Sequence, residues 1–333
     1  MKQPMKGFSL FLSALGILCL ILDSKCASES AVKSLDLCIR TVIPSLFPMF
    51  VLSGMVVSGL SGSTGGLMRR LERLLRLPER SGGIFLVGAI GGFPVGAQCI
   101  GQAISQGCFG KDDGERMLGF CNNCSPAFLF GIAGSLFGSP LIPLLIWTVQ
   151  LESAMLIAVC WPGKRGIGKT FTPRNVTMPE AVNRAIRSMV SVCAWIILAG
   201  VLSGFLERWL FPILAFPFPE ILRGMLELTG GILGLSGMEN TALQMLFCSF
   251  FTCFGGICVL LQIQSIASDA GLSMRTYFQQ KVVQGLIGTA LSAGAISVGP
   301  AFLLAVPFFL VTRKIMVEKT TKTMYNSIRK GGF

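Results

Sequence analysis

Long apolar runs interrupted by short breaks of glycine, proline and amide residues dominate this chain, and that pattern leaves few folds open to it. Runs such as 41–60, 188–206 and 241–267 have the length of the roughly 20 residues that cross a hydrocarbon core as a helix. Hydrocarbon offers no partner to an open peptide group, so a break is tolerated only where protein or water satisfies it. Composition agrees: of 333 residues, 52% are hydrophobic and 13% charged, against about 25% charged in soluble domains. The expected fold is an all-α polytopic membrane protein, with the lipid bilayer as its first partner.

The formal net charge is +12. In a soluble domain that excess would suggest nucleic acid. Here the basic residues sit between apolar runs and in the C-terminal tail, where they mark topology, and no nucleic-acid partner is expected. The 12 cysteines lie mostly inside apolar stretches, as Cys19, Cys99, Cys193, Cys248 and Cys253 do. They fit small apolar packing residues better than a disulfide framework. The sequence has no histidine, which removes the commonest general base and any imidazole ligand. With no nucleophile–base pair visible, neither an enzyme nor a cofactor is expected, and no resident metal.

Residues 8–22 follow Lys2 and Lys6 like a signal peptide, but Lys25 stands where cleavage needs a small residue, which favours an uncleaved helix. Residues 1–33 are read as that helix and a short loop. Residues 34–161 form a first membrane repeat, 162–187 a basic cytoplasmic linker, 188–312 a second repeat and 313–333 a basic tail. Pro44 and Pro48 predict a kinked entry to the second span. MRRLERLLRL predicts an amphipathic surface helix. A polar turn is placed at 268–281 and a break at 294–300.

The halves align without gaps over one stretch. Gly91, Gly92, Val95, Gln98, Ala103 and Gly107 superpose on Gly255, Gly256, Val259, Gln262, Ala267 and Gly271 at a constant offset of 164, and Lys111 then matches Arg275. With the basic segments 61–82 and 162–187 both in the cytoplasm, the repeats are inverted, a common transporter architecture. Strict inversion puts the basic tail outside, whereas its charge argues for inside. The crossing count stays open.

The breaks carry the candidate chemistry. GGFPVGAQ (91–98) presents Gly91, Gly92, Pro94, Gly96 and Gln98 at a point where backbone groups can meet a ligand; close helix packing through small residues is the alternative. In FCNNCSPAF, Asn122 and Asn123 need partners in an apolar setting, and Pro126 ends a helix beside Ser125. Glu152 is a carboxylate within the 139–161 span, expensive there unless functional; a place near the interface, beside the basic linker, is the alternative. Glu227, Thr229, Glu239, Asn240 and Thr241 suggest a polar cluster at a second hairpin, with an ordinary extracytoplasmic loop as the alternative. Gln262 answers Gln98 in the second half.

VIPSLFPMFVLSG, GGFPVGAQ, FCNNCSPAF and LELTGG, in that order and spacing, resemble the YlbJ-type sporulation integral membrane proteins of endospore-forming bacteria. That family resembles the wider group with a Gate, or nucleoside-recognition, domain. The resemblance covers roughly 35–310. It implies a multi-pass protein of the bacterial cell membrane, in the mother cell or forespore, needed for spore formation and with a transport-like core. By matching motif it carries over Gly91, Gly92, Pro94, Gly96, Asn122, Ser125, Pro126, Glu227 and Thr229. The expected function is transport of a small polar solute or ion through a midplane site of broken helices. Two rivals stand beside it. One is a non-transporting assembly protein, with partner helices in the spore-forming membrane or further copies of itself. The other is a metal-ion pore using Cys121, Cys124, Cys253 and methionines.

Overall fold

The structure, a computed structural model, describes residues 4–60, 65–79, 81–161, 177–215, 217–310 and 312. α1 (Pro4–Leu22) turns Leu10, Phe11, Ile21 and Leu22 outward. The short loop expected within 1–33 is instead helix: α2 (Ser24–Leu37) starts at Asp23, whose carboxylate accepts from the Cys26 N–H. That cap satisfies one of the free donors of the first turn, and packing on a later helix completes the stabilisation. A π turn at Cys38–Val42 leads into α3 (Ile43–Leu60), and the chain bends by 50° between Ser24–Val42 and Leu46–Leu52. The π turn and Pro44 account for the bend. α4 (Gly66–Leu74) is the expected amphipathic helix. Its buried Glu72 accepts from the Gly82 N–H at 3.0 Å, which ties it to the start of α5 (Gly82–Gly91).

α6 (Val95–Ser105) and α7 (Lys111–Phe120) follow, then α8 (Pro126–Phe128), a π turn at Leu129–Ala133, α9 (Gly134–Phe137) and α10 (Leu141–Cys160). The second half holds α11 (Met178–Trp209), α12 (Phe218–Leu226), α13 (Leu228–Gly234), α14 (Thr241–Phe254), α15 (Gly256–Asp269) and α16 (Arg275–Val298). Among the described residues every regular element is helical. Leu141–Cys160, Met178–Ile213, Thr241–Asp269 and Arg275–Val298 are each long and apolar enough to cross a membrane, and the bent pair would be a fifth crossing. α11 leaves Ile186, Val190, Leu198 and Leu202 exposed. A face of that kind is matched by lipid and not by water, so the chain is a polytopic α-helical membrane protein.

Three sequence boundaries move. Residues 178–187, assigned to the linker, are the first turns of α11; the linker residues 162–176 and the tail 313–333 lie outside the described residues. The polar turn at 268–281 is shorter than expected, because helix resumes at Arg275. The break at 294–300 narrows to Gly299 (φ 110°), since α16 holds through Val298. Polar side chains misled the sequence assignment in the first two cases. In the second, Gln280 and Lys281 line a buried helix face; in the first, Asn183 and Arg187 stand exposed on a helix that buries Ala181 and Ala185.

The repeat has a backbone counterpart. Gly92 and Gly256, at the offset of 164, have φ of 82° and 78°, and Gly107 and Gly271 have 77° and 65°. After α6 the Cys108 N–H donates to Ala103 O at 2.9 Å, and after α15 the Leu272 N–H donates to Ala267 O at 2.9 Å. This is one glycine-dependent helix stop used twice. α7 and α16 then start at the matched Lys111 and Arg275.

Candidate functional site

α5 ends at Gly91, Gly92 turns the chain with positive φ, the Phe93–Pro94 peptide is cis, and helix restarts at Val95. Facing this break is another, between Phe120 and Pro126. A Cβ on Gly88 or Gly96 would overlap the Cys121 carbonyl oxygen, so these glycines form the notch in which the second break sits. Asn122 joins the two. Its Oδ1 accepts from the Ala97 N–H at 2.8 Å, and its Nδ2 donates to Leu118 O at 2.7 Å. One side chain thereby satisfies a free donor at the start of α6 and a free acceptor at the end of α7. Asn123 Nδ2 donates to Phe120 O at 2.9 Å. Ser125 caps α8, accepting from the Phe128 N–H at 3.2 Å.

Against these breaks lies a lysine the sequence assignment missed. Lys281, on α16, is 1% exposed. Its ammonium donates to Asn122 O at 3.0 Å and to Gln284 Oε1 at 2.7 Å, and it lies 5.1 Å from the centre of the Phe93 ring. Gln284 Nε2 in turn donates to Asn123 Oδ1 at 3.0 Å and to Gln150 O and Ser153 Oγ at 3.3 Å. Among the described residues no carboxylate pairs with Lys281. Neutral dipoles and a ring face balance the charge. The available signal was the set Gln280, Lys281 and Gln284, spaced for one helix face; their polarity had placed Gln280 and Lys281 in a turn.

In front of the Phe93 ring is a cavity of about 170 Å³. Gly92, Phe93, Cys124 and Ser125 form one wall, Glu227 and Thr229 a second, and Cys258, Val259 and Gln262 a third. Glu227 is fixed by its own backbone: Oε1 accepts from the Thr229 N–H at 2.8 Å and Oε2 from the Gly230 N–H at 2.6 Å. Gln262 Nε2 reaches Cys258 Sγ at 3.3 Å. The two glycine breaks face each other here, because a Cβ on Gly255 would lie 3.1 Å from the Phe93 ring.

The structure therefore gathers Gly92, Ser125, Glu227, Thr229 and Gln262 around one cavity and separates the other candidates. Asn122 and Asn123 stand behind its wall, in the Lys281 network. Gly91, Pro94 and Gly96 shape the backbone. Gln98 lines a second, larger cavity of about 330 Å³, where it bonds Ser188. Glu152 is buried on α10 with its Oε2 unpartnered, and it lines neither cavity. Asn240 caps α14 through the Leu243 N–H, and Glu239 is exposed. Cys124 points to Thr252 O at 3.6 Å and Cys253 to Ser153 Oγ at 3.7 Å. Among the described residues no three cysteine, aspartate or glutamate side chains converge to hold a metal ion.

Over 84% of its length the chain is similar to "Sporulation integral membrane protein YlbJ" of Bacillus subtilis (strain 168), with 23% identity, and it covers 79% of that protein. This agrees with the YlbJ-type resemblance of the landmark strings. No protein-family model matches the chain, so the wider Gate grouping stays an expectation. No solved structure matches it.

Proposed function

We propose that this YlbJ-type integral membrane protein acts in endospore formation, in the mother-cell or forespore membrane, by transporting a small polar solute or ion. The observation that supports this most is the 170 Å³ cavity, whose walls come from the breaks of both halves and carry Ser125, Glu227, Thr229 and Gln262. Non-helical backbone at membrane depth is stable where it lines a cavity, and paired breaks of this kind are where transporters hold their cargo. The solute hydrogen-bonds to Gln262, Ser125 and Thr229. The Lys281–Asn122–Gln284 network ties the unwound 121–125 segment to α16, so that the two halves move as coupled bodies.

Uptake into proteoliposomes tests this, over a panel of nucleosides, metal ions and dicarboxylates. Substrate-dependent flux that Gln262→Leu and Thr229→Val reduce is expected. Absence of flux for every member, from protein that remains folded, counts against transport. Metabolite profiling of a deletion strain during sporulation would name the solute.

One observation favours the assembly-protein alternative: the amides of Asn122 and Asn123 and the Lys281 ammonium are all partnered within the chain. An architectural break needs nothing more. In that case Asn122 and Glu227 substitutions remove co-purifying membrane partners or further copies of the chain, whereas in a transporter they remove flux from an intact assembly.

A further inference from the structure

The two cavities share their walls in a fixed order. On α15, Cys258, Val259 and Gln262 face the 170 Å³ cavity, and Ser265, Ile266 and Asp269, further along, face the 330 Å³ one. Along 92–105, Gly92 and Phe93 face the smaller cavity, and Gln98, Gln102 and Ser105 the larger. On α11 the order reverses: the stretch from Ala181 to Ser191 lines the larger cavity, then Val192 and Ile196 the smaller. Three elements thus place the cavities end to end along α11. From Gln262 to Ser265 is a rise of only about 4.5 Å, so less than one helical turn parts them.

Two neutral hydrogen bonds join walls of the larger cavity near the end that adjoins the smaller one. Gln98 Nε2 donates to Ser188 Oγ, linking α6 to α11, and Ser191 Oγ donates to Ser265 Oγ at 3.3 Å, linking α11 to α15. Gln98 and Gln262 are partners in the repeat, and one lines each compartment. Of the charged groups on the larger cavity, Arg184 and Asp269 stand further from this end, Arg184 held by Glu180 at 2.5 Å, while Arg187 directly precedes Ser188 on α11.

We propose that the two cavities are compartments of one path along α11, parted by the Gln98–Ser188 and Ser191–Ser265 bonds, which open to pass a small uncharged solute recognised through hydroxyl or amide groups. This deepens the transport function above and rests on it. A cation passing between the cavities would lose its hydration among neutral hydroxyls and amides, and an anion passing Arg187 would next face the Glu227 carboxylate. Glu227, in the smaller cavity, has both oxygens bonded to backbone N–H groups. A neutral solute exchanges hydrogen bonds with serines and amides one at a time.

Native cysteines report on the path, because Cys258 lines the smaller cavity, Cys99 the larger, and Cys160 is exposed. The full chain in membrane vesicles is alkylated with iodoacetamide or with iodoacetate, which differ mainly in charge. Peptide mass spectrometry then gives the Cys258 rate relative to Cys160. The double variant Ser188→Ala, Ser191→Ala is expected to raise Cys258 alkylation by iodoacetamide about tenfold, as loss of two neutral hydrogen bonds allows, with a smaller rise for iodoacetate and none at Cys99. A disulfide formed in Ser191→Cys, Ser265→Cys is expected to lower it below the native rate, and reductant to restore it. Cys258 rates that respond to neither manipulation overturn the path. An equal rise with iodoacetate overturns the uncharged class. A responsive Cys258 in protein that carries no solute overturns transport and leaves the path standing, whereas flux with an unresponsive Cys258 overturns the path alone.

Discussion

Lys281 shows how a buried charge is held by groups that carry none. Its ammonium has two oxygen acceptors and an aromatic face, all inside the protein. Gln284→Leu removes the nearer acceptor and leaves the charge in place, so the buried ion loses solvation it cannot regain. A loss of about 3 kcal/mol or more is expected, as when one partner of a buried ionic pair is removed. Lys281→Met removes the charge itself and orphans Asn122 O and Gln284 Oε1, a milder loss of about 1–3 kcal/mol. Thermal unfolding in detergent should therefore rank Gln284→Leu below Lys281→Met. The reverse order would mean that the charge is not the costly element. Sequence inspection found the asparagines of this network because paired amides in an apolar run require partners. It missed the lysine because a polar residue close to a turn looks the same whether the chain is helix or loop.

At the scale of elements, glycines decide how closely helices approach. Gly96 faces the Cys121 carbonyl, with no space for a Cβ, while a Cβ on Gly101 would lie 3.7 Å from Ala270 in ordinary contact. Gly96→Val is expected to abolish recovery of folded protein from membranes. Gly101→Ala is expected to be neutral or stabilising by up to about 1 kcal/mol, since alanine is the better helix former. Unfolding midpoints of the pair check both. The contact between α2 and α11 follows the same rule: Gly200 and Gly204 pack on Ser34 and Ser30, where a Cβ on either glycine would overlap a serine hydroxyl. Gly200→Val should free α2 from α11 and expose 24–37 to protease, whereas unchanged cleavage would show that α2 is held elsewhere. This packing is also why a stretch of mixed polarity, SKCASESAVKSLDL, forms one helix through the short loop expected before residue 34.

Across the whole molecule the repeat is kept in its turns and lost in its polar groups. Gly107 and Gly271 hold matched left-handed positions, so Gly107→Ala and Gly271→Ala should each cost about 1–2 kcal/mol. Similar losses in thermal unfolding are the expected result, and a large loss at one alone would show that the turns are not equivalent. The helices that follow have diverged. Lys281 and Gln284 stand at the offset positions of Met117 and Phe120, both buried in α7. α7 ends at Phe120, while α16 runs on through the equivalent point. One half supplies the unwound segment and the other supplies the cation that holds it.

Hydropathy, glycine, proline and offset are properties of neighbouring residues or of regular spacing. They were enough to establish a helical chain embedded in lipid, the breaks at 91–98 and 121–126, the glycine pair at 255–256 and the register between the halves. Partnership is not local in that sense. Lys281 meets Asn122 across 159 positions of chain and Gln98 meets Ser188 across 90, and no spacing rule links them. Only the packed helices decided that Gln98 and Gln262 occupy separate cavities and that a lysine stands behind the breaks. Which side chain satisfies a buried polar group depends on the helices brought against it, and that choice is made in three dimensions.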